Sequence, residues 1–363
     1  MGRGADRPRA PAPEADRAPA PEAEPVRADI VGPVRAAVAL ALAVAVGATS
    51  LAGCGGSSPV RSSSARSPAG ERAPRASTAP RPRLQVTTAG TLPAPVQDPA
   101  ATGLGERALL VGGLDLSDAS VGDVLLAAPS TVTRLGSVPQ PLHDAAAATL
   151  GGRAYVFGGG EPSRSEILAI TPDGHATAAG QLPLGASDVA AASLDGSAYI
   201  VGGFTGTQAL DTILTWHGGG VASLVARLPH PLRYAAVAVA GGRLIVAGGT
   251  NGTSATREVY AFDPITRRVS LVAKLLHPVT HAAAATLNGI VYVIGGRGST
   301  LGSQRSEILA VDPASGRVSA AGRLPRPTSD MGAAVIGGQI LLAGGREATG
   351  QVSAAVLVLS AVG

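Results

Sequence analysis

Short apolar runs that end in a pair of glycines recur along the chain. The six pairs are spaced 44 to 49 residues apart and lie at Gly112-Gly113, Gly158-Gly159, Gly202-Gly203, Gly248-Gly249, Gly295-Gly296 and Gly344-Gly345. A second marker, Leu-Pro or a close variant, alternates with the pairs at Leu92-Pro93, Val138-Pro139, Leu182-Pro183, Leu228-Pro229, Leu276-His277-Pro278 and Leu324-Pro325. Two independent markers that keep one period through six copies predict a repeat architecture.

Each unit is predicted to contain four short strands. An alanine-rich first strand is followed by a two-residue turn in which both residues should take positive φ, at Gly151-Gly152, Asp195-Gly196, Gly241-Gly242, Asn288-Gly289 and Gly337-Gly338. A β-branched and aromatic second strand then runs into the glycine pair, and the third strand opens on an acidic residue. The fourth strand runs into the Leu-Pro marker. Four strands per unit of about 46 residues are typical of propeller blades.

The last unit provides only three strands, at residues 331–336, 339–343 and 355–360. Residues 85–93, ahead of the first unit, match residues 317–325 almost residue for residue. We therefore predict that this N-terminal segment completes the sixth blade as its outer strand, which would remove two open sheet edges. The expected fold is all-β, a six-bladed propeller over residues 84–363, preceded by a disordered N-terminal segment.

The units resemble the kelch family of β-propellers. The resemblance rests on the glycine pair, on the acidic residue that opens the third strand, and on Asp263-Pro264 and Asp312-Pro313, which close that strand in two copies. The copies lack the fourth-strand tryptophan usual in the family, and the only tryptophan, Trp216, ends a third strand. The resemblance implies a fold rather than a function. Sparse aromatic residues predict thinner packing between blades, offset by close alanine contacts.

Residues 1–53 are predicted to be a signal peptide with a long n-region, the segment that precedes its apolar core. Residues 36–48 form an uncharged apolar run of 13 residues, which fits a signal-peptide core, whereas a membrane span needs about 20. Leu51-Ala52-Gly53-Cys54 then resembles the lipobox of bacterial lipoproteins. That resemblance implies cleavage after Gly53, lipidation of Cys54 and localisation on the extracytoplasmic face of the cell membrane. The alternative is an uncleaved anchor with a buried cysteine.

The positive charge of the chain is concentrated next to Cys54. The net charge is +4, and residues 54–83 alone carry six arginines against one glutamate. This segment has almost nothing apolar to bury, so it is predicted to be a disordered basic tether. Each arginine could gain about 1 kcal/mol beside an anionic leaflet, or the segment could be a simple solvated linker. Residues 84–363 carry no excess positive charge, so no nucleic-acid partner is expected.

One end of the propeller is expected to carry a ligand site. In kelch proteins, the loops that lead into the inner strands open on the binding mouth, as does the residue after the glycine pair. Fourteen residues before each pair stand Asp98, Asp144, Asp188, Tyr234, His281 and Asp330. The candidate ligand-binding set has three sources. Tyr234 and His281 replace aspartate at this position, and His143 and Arg233 immediately precede it. Phe204, Arg297 and Arg346 directly follow a glycine pair.

The repeated acidic residues have a simpler structural interpretation. The aspartates could each make an Asx turn that starts an inner strand, since a role repeated in four of six copies usually belongs to the scaffold. The acidic residues that open the third strands are interpreted as a repeated polar contact between blades. Paired catalytic carboxylates would need unlike environments, which a ring of equivalent residues does not provide.

Neither a metal site nor a cofactor is predicted. His143, His230, His277 and His281 fall in the mouth loops, but the chain has no HExxH motif or carboxylate triad with ligand spacing. A single cysteine excludes disulfide frameworks and thiolate zinc sites. The chain also lacks a GxSxG nucleophile elbow and a lysine-bearing phosphate loop.

These patterns favour a monomeric, non-catalytic binding or scaffold module that recognises an unknown protein or glycan through one mouth. The alternative is a carbohydrate-active enzyme of the sugar mutarotase type, a class of enzymes whose fold is similar to the one predicted for this chain. In that case Arg233, Arg297 or Arg346 would grip a carboxylate of the substrate. If so, replacing Arg233 or Arg297 by alanine should abolish ligand binding and leave thermal stability intact.

Overall fold

The computed structural model describes Met1 and residues 82–362. The predicted signal peptide, the predicted lipidation site Cys54 and the tether up to residue 81 lie outside the described residues. Regular structure in residues 82–362 consists of β-strands. Within this part of the chain, no helix is long and apolar enough to cross a membrane.

Six four-stranded antiparallel sheets follow one another around a ring, and their inner strands contact each other in a closed circuit. From inner to outer, the strands of blade 1 are β2 (Ala100–Leu104), β3 (Arg107–Val111), β4 (Asp123–Ala128) and β5 (Thr131–Ser137). Those of blade 2 are β6 (Ala146–Leu150), β7 (Arg153–Phe157), β8 (Glu166–Ile170) and β9 (Ala176–Gln181). Those of blade 3 are β10 (Ala190–Leu194), β11 (Ser197–Val201), β12 (Thr212–Trp216) and β13 (Ser223–Arg227). The predicted order of four strands per unit is confirmed.

The remaining blades repeat this order. The strands of blades 4 and 5 are β14 (Ala236–Ala240), β15 (Arg243–Ala247), β16 (Thr256–Asp263) and β17 (Arg268–Val279); and β18 (Ala283–Leu287), β19 (Ile290–Ile294), β20 (Glu307–Asp312) and β21 (Arg317–Arg323). Blade 6 contains β23 (Gly332–Ile336), β24 (Gln339–Ala343) and β26 (Ala355–Val362), with a short side pair of β22 (Thr328–Ser329) and β25 (Arg346–Glu347).

The sixth blade takes its outer strand from the start of the described chain, as predicted. Strand β1 (Arg83–Thr91) pairs antiparallel with β26, from Arg83 opposite Val362 to Thr91 opposite Ala355. The register shifts once, at a bulge between Thr88 and Gly90. The two ends of the described chain are therefore held together in one sheet, and the sixth blade has four strands like the other five.

The two-residue turns between first and second strands confirm the predicted primed hairpins. Both residues of all five predicted turns have positive φ, between 50° and 79°. These turns lie at one face of the ring, called the turn face. The glycine pairs end the second strands at the opposite face, called the mouth, together with the loops that lead from each outer strand into the next blade.

Six hydrophobic clusters fill the gaps between neighbouring blades, and each draws its buried side chains from two adjacent sheets. Between blades 2 and 3, Trp216 meets Tyr155 and Phe157 edge-on, at ring-centroid distances of 4.8 and 5.8 Å. Tyr199 and Phe262 make a tilted contact at 5.7 Å between blades 3 and 4. The clusters between blades 1 and 2, 4 and 5, and 6 and 1 contain aliphatic side chains only.

Three of the five acidic residues that open third strands pair with an arginine of their own blade, and for Asp123 and Asp211 the predicted contact between blades is wrong. Arg134 Nε on β5 lies 2.8 Å from Asp123 Oδ1 on β4, because antiparallel pairing makes these side chains cross-strand neighbours. The same arrangement is found in the pairs Arg227–Asp211 and Arg323–Glu307. Glu307 also faces the preceding blade, where His277 Nε2 lies 3.9 Å from its Oε2.

Deletion of residues 84–92 should destabilise the propeller far more than deletion of residues 55–83. The first deletion removes eight of the nine residues of β1 and the buried leucines Leu84 and Leu92. We expect a loss on the order of 5 kcal/mol in the free energy of unfolding, since two large core side chains and a sheet edge are lost together. Guanidinium unfolding followed by Trp216 fluorescence measures it.

A permuted chain provides the control for this deletion. Residues 84–92 are moved behind Gly363 through a short flexible linker, so that the strand can turn back and pair with β26. Stability should recover in the permuted chain, because closure depends on the strand and not on its place in the sequence. A deletion variant that unfolds at the wild-type guanidinium concentration would contradict closure by β1.

Candidate functional site

Each glycine pair holds the loop that leads into the next blade. The position fourteen residues before a pair, where that loop reaches the propeller axis, is called the axial position. In all six blades the N–H of the second glycine donates, at 2.8 to 3.0 Å, to a carbonyl two residues before the next axial position. A Cβ on the first glycine would lie 2.2 to 2.3 Å from that same oxygen, so only glycine permits this approach. We call this contact the glycine latch.

The six axial residues form a ring of left-handed backbone, with φ between 51° and 63° at Asp98, Asp144, Asp188, Tyr234, His281 and Asp330. In five of them the N–H donates to the carbonyl of the preceding axial residue, at 2.8 to 3.2 Å. Aspartate tolerates this backbone region, whereas bulky aromatic residues rarely adopt it. Tyr234 therefore holds a conformation that costs backbone energy, as is often found at functional sites, whereas histidine, like aspartate, is enriched in this backbone region.

The two columns of candidate residues are joined by backbone hydrogen bonds. Phe204, which follows a glycine pair, exchanges two such bonds with Ser187, which precedes an axial residue, at 2.8 and 2.9 Å. The same exchange is found for Thr250 with Arg233 and for Arg297 with Thr280. The residue after each of these pairs is thereby fixed beside the axial residue of its own blade.

The axial side chains line a cavity of about 120 Å³ on the propeller axis. The Tyr234 hydroxyl donates to Asp144 Oδ2 at 3.0 Å, and the Arg233 guanidinium donates to Asp188, whose side chain is 2% exposed. These carboxylates therefore contact side chains around the axis instead of closing the Asx turns that the sequence allowed. Within the described part of the chain, no group of three or more His, Cys, Asp or Glu side chains is arranged to hold a metal ion.

Burial raises the pKa values of three axial carboxyl groups. Burial, and then the charge of Asp188, raises the pKa of Asp144 to about 8, although the hydrogen bond from Tyr234 lowers it. Burial, followed by the charge of Asp330, raises the pKa of Asp98 well above its ordinary value, and burial also raises the pKa of Asp330. At neutral pH Asp144 therefore retains its proton beside the ion-paired Asp188.

Five of the seven candidate residues form one connected cluster at the mouth, on the side of blades 3 to 5. The Arg233 guanidinium carbon lies 3.9 Å from the centroid of the Phe204 ring and 5.4 Å from that of Tyr234. The rings of Tyr234 and His281 stack with centroids 3.7 Å apart and an interplanar angle of 22°. Arg297 Nη2 lies 2.9 Å from His281 Nε2 and extends the cluster.

His281 is a neutral member of this cluster. Burial, followed by the positive charges of Arg297 and Arg233, lowers the pKa of His281 well below its usual value. Because Arg297 donates to Nε2, the ring proton lies on Nδ1, which donates to Thr280 Oγ1 at 3.0 Å. His281 therefore offers an uncharged aromatic surface rather than a cation.

His143 and Arg346 lie at the mouth but outside the cluster. His143 Nδ1 is 2.8 Å from Ser120 Oγ, its Nε2 is 3.8 Å from Asp144 Oδ2, and burial lowers its pKa. Arg346 Nη1 donates to Asp118 Oδ1 at 2.9 Å, which links the loop of blade 6 to that of blade 1. The predicted site residues thus share one face, with five of them in direct succession.

Two groups of mouth residues were left out of the candidate ligand-binding set predicted from the sequence. The axial aspartates fit the pattern of turn residues, yet their carboxyl groups line the cavity. The second group comprises exposed leucines in three different mouth loops, Leu116, Leu184 and Leu301, which are 68%, 56% and 70% exposed. Their signal in the sequence is an isolated leucine within a polar loop near a glycine pair or a Leu-Pro marker.

The contact of Arg233 changes what its removal should do. From the sequence alone, Arg233→Ala is expected to leave thermal stability intact. Because Arg233 is the ion-pair partner of Asp188, alanine would leave a buried carboxylate without its cation, at a cost of about 3 kcal/mol. Loss of ligand binding in that variant would therefore not separate recognition from unfolding.

The comparisons with known proteins agree with this fold. A family model described as Kelch motif matches residues 231–276, which cover most of blade 4. The solved structure of a protein called YjhT is similar to this chain, with a TM-score of 0.65 and 16% sequence identity, over 75% of this chain and 99% of that one. No curated protein matches the sequence. The kelch motif and the six-bladed ring together support a kelch-repeat β-propeller.

Asp144→Asn should remove a pH dependence of stability. Between the ordinary aspartate pKa near 4 and the folded value of about 8, the folded chain binds a proton that the unfolded chain releases, so wild-type stability falls as the pH rises through this window. Asparagine tolerates the same backbone and carries no charge. Relative to wild type, the variant should gain on the order of 3 kcal/mol between pH 5 and pH 8.5, measured by urea unfolding.

Asp195→Asn is the matched control. Asp195 also has a left-handed backbone, with φ of 50°, but it lies exposed in a turn-face hairpin. This variant should follow the wild-type profile. An Asp144→Asn profile that runs parallel to wild type from pH 5 to pH 8.5 would refute the raised pKa.

Proposed function

We propose that this chain is a lipid-anchored, extracytoplasmic kelch propeller that binds a protein partner across its mouth without catalysing a reaction. The observation that carries the proposal is the combination of a narrow axial cavity with exposed leucines around it. Small-molecule sites usually have volumes of about 300 to 1,000 Å³, whereas the axial cavity measures about 120 Å³. A partner that lies over the mouth fits this geometry better than a ligand enclosed within it.

The apolar rim favours a protein as the partner. Leu116, Leu184 and Leu301 come from the loops of blades 1 and 5 and from the loop between blades 2 and 3, and all three are more than half exposed. They stand in three separate polar loops on one face of the propeller, and they would give a protein partner three separate apolar contacts. Leucine offers no hydrogen bond to a sugar hydroxyl, so a glycan would leave these contacts unused.

The centre of the mouth provides polar contacts for such a partner. Asp144 Oδ1 and Asp330 Oδ1 are buried without a hydrogen-bond partner in residues 82–362, and so is Arg297 Nε. A polar side chain that projects from the partner into the axial cavity would satisfy these groups. The strongest contacts of a protein interface usually lie near its centre, in pockets from which water is excluded.

The path of the chain is compatible with an anchor on the other face. Strand β1 begins at the turn face and ends at the mouth, because it runs antiparallel to β26. An anchor ahead of Arg83 would join the propeller at the turn face, on the side opposite the mouth. The anchor itself is supported by sequence alone, by the apolar run at residues 36–48 and the Leu51-Ala52-Gly53-Cys54 motif.

One observation favours a second function, an enzyme of the sugar mutarotase type. Interconversion of anomers needs a proton donor and acceptor that titrate near neutral pH, and the pKa of Asp144 is raised to about 8 beside the Tyr234 hydroxyl. Magnetisation transfer between sugar anomers measures this activity directly. Faster exchange in the presence of the chain, lost in Asp144→Asn, would favour the enzyme over the binding module.

The triple substitution Leu116→Ser, Leu184→Ser and Leu301→Ser should abolish partner capture and leave the fold intact. All three side chains are exposed, so their removal costs little stability. The measurement is affinity capture by the full chain from a cell-envelope extract, compared with binding to a glycan panel. We expect a protein to be retained by wild type and at least tenfold less of it by the variant.

A variant with substitutions at the turn face is the control for non-specific adsorption. Val221 and Ile265 are 59% and 91% exposed at that face, and Val221→Ser with Ile265→Ser should capture the partner as well as wild type does. Equal loss in both variants would mean non-specific adsorption. Retention of a glycan instead of a protein would overturn the assignment of partner class.

Cys54→Ala should release the chain from membranes. If Cys54 carries the lipid, growth with radiolabelled palmitate labels the wild-type chain and not the variant, and fractionation finds the variant in the soluble part of the envelope. Substitution of Gly55 by serine is a neighbouring control that should keep the label. An unlabelled wild-type chain would remove the lipid anchor from the proposal.

A further inference from the structure

A second cavity lies between blades 1 and 2 on the turn face, far from the mouth along the strands. Its volume is about 420 Å³, against about 120 Å³ for the axial cavity, and it falls within the usual range for small-molecule sites. Its walls include Leu104, Leu109, Leu126, Leu135 and Ile170. The lower part of the cleft is therefore lined by aliphatic side chains from both blades.

Comparison of the repeats explains why this cleft is open. Tyr155 and Trp216 fill the corresponding gap between blades 2 and 3, with ring centroids 4.8 Å apart. Leu109 precedes its glycine pair by three residues, as Tyr155 does, and Thr171 follows the acidic residue of its third strand by five, as Trp216 does. Between blades 1 and 2, a leucine and a threonine thus replace the two aromatic rings, and the lost side-chain volume remains as a cavity.

Two arginines line the entrance of this cleft. Arg107 and Arg153 each follow a two-residue turn, one on blade 1 and one on blade 2, and both are exposed. The arginine ion pairs found in residues 82–362 involve other arginines. A pair of guanidinium groups above an aliphatic cleft matches a ligand with a hydrocarbon chain and a terminal carboxylate.

We propose that the cleft between blades 1 and 2 binds the free acid of an aliphatic chain of about ten carbons, with the chain between the leucines and the carboxylate between Arg107 and Arg153. The aliphatic walls gain from burial of each methylene, and the arginines fix the orientation of the ligand by charge-assisted hydrogen bonds. The site is independent of the mouth and of the function proposed for it.

Titration calorimetry of the full chain with hexanoate, octanoate and decanoate, each below its micelle concentration, tests the proposal. Burial of a methylene corresponds to about a fourfold gain in affinity, so decanoate should bind about 16-fold more tightly than octanoate. Decanol, which lacks the carboxylate, should bind at least tenfold more weakly than decanoate. Absence of decanoate binding, or affinity that does not depend on chain length, would overturn the proposal.

Charge variants separate the carboxylate contact from the apolar contact. Arg107→Gln with Arg153→Gln should weaken decanoate binding at least tenfold and leave decanol binding unchanged. Arg243→Gln is the matched control, because Arg243 follows the equivalent turn of blade 4 and does not line the cleft. Equal effects of the two sets of substitutions on decanoate would show a general charge effect and overturn the site.

Side chains that fill the cleft should abolish the binding of both decanoate and decanol. Leu109→Tyr with Thr171→Trp copies the aromatic pair of the next interface and should remove decanoate binding while raising the unfolding temperature. Since the Thr171 hydroxyl is hydrogen-bonded to His175 within a turn, Leu126→Phe provides a second filling variant that leaves this turn unchanged. Wild-type affinity for decanoate in a folded variant with a filled cleft would overturn the proposal.

Discussion

The glycine latch is the contact on which the rest of the propeller depends. In each blade, two glycines with positive φ allow a second strand to end directly against the loop that enters the next blade, and one short hydrogen bond fixes that loop. Any side chain on the first glycine would overlap the carbonyl oxygen that the second glycine binds. The latch therefore joins neighbouring sheets through backbone atoms alone, and the side chains at the axis are free to differ. It also explains why six blades can close with few aromatic residues between them.

The axial ring follows from the latch and creates an electrostatic problem. Each of six consecutive loops places a residue with left-handed backbone at the axis. Aspartate, which tolerates this conformation, occupies four of the six positions. Four carboxyl groups in a narrow cavity cannot all remain ionised, because burial and mutual repulsion oppose the charge. Arg233 compensates Asp188, the proton retained by Asp144 compensates a second carboxyl group, and burial raises the pKa of Asp98 and of Asp330. Tyr234 and His281 replace carboxyl groups at the remaining positions, so the aromatic and cationic side of the mouth faces an acidic side.

The sequence predicted the fold in detail because its markers are backbone requirements. Glycine pairs, primed turns and the copy of residues 317–325 near Arg83 each permit few alternatives, and blade number, strand order and closure followed from them. Contacts between side chains were harder to predict, because the spacing of the sequence repeats does not show which neighbouring residue a side chain contacts. Asp123 faces Arg134 on its own blade because cross-strand pairing brings them together, and the axial aspartates turn toward the cavity because of their φ. Neither fact is contained in the spacing of the residues. His281 was a candidate from its position, but its neutral state depends on burial and on Arg297.

Departures from the repeat carry the functional information in this molecule. A position that keeps its residue type in most copies can be explained by the latch, the turns or the packing between sheets, whereas a departure removes a scaffold contact or adds backbone strain. Tyr234 adopts a backbone that aspartate would adopt with less strain, and its ring stacks on that of His281 at the mouth. Leu109 and Thr171 leave a cleft that aromatic side chains close at the next interface. A strained backbone at the mouth and an unfilled gap between blades 1 and 2 thus mark the two surfaces at which ligand recognition is proposed.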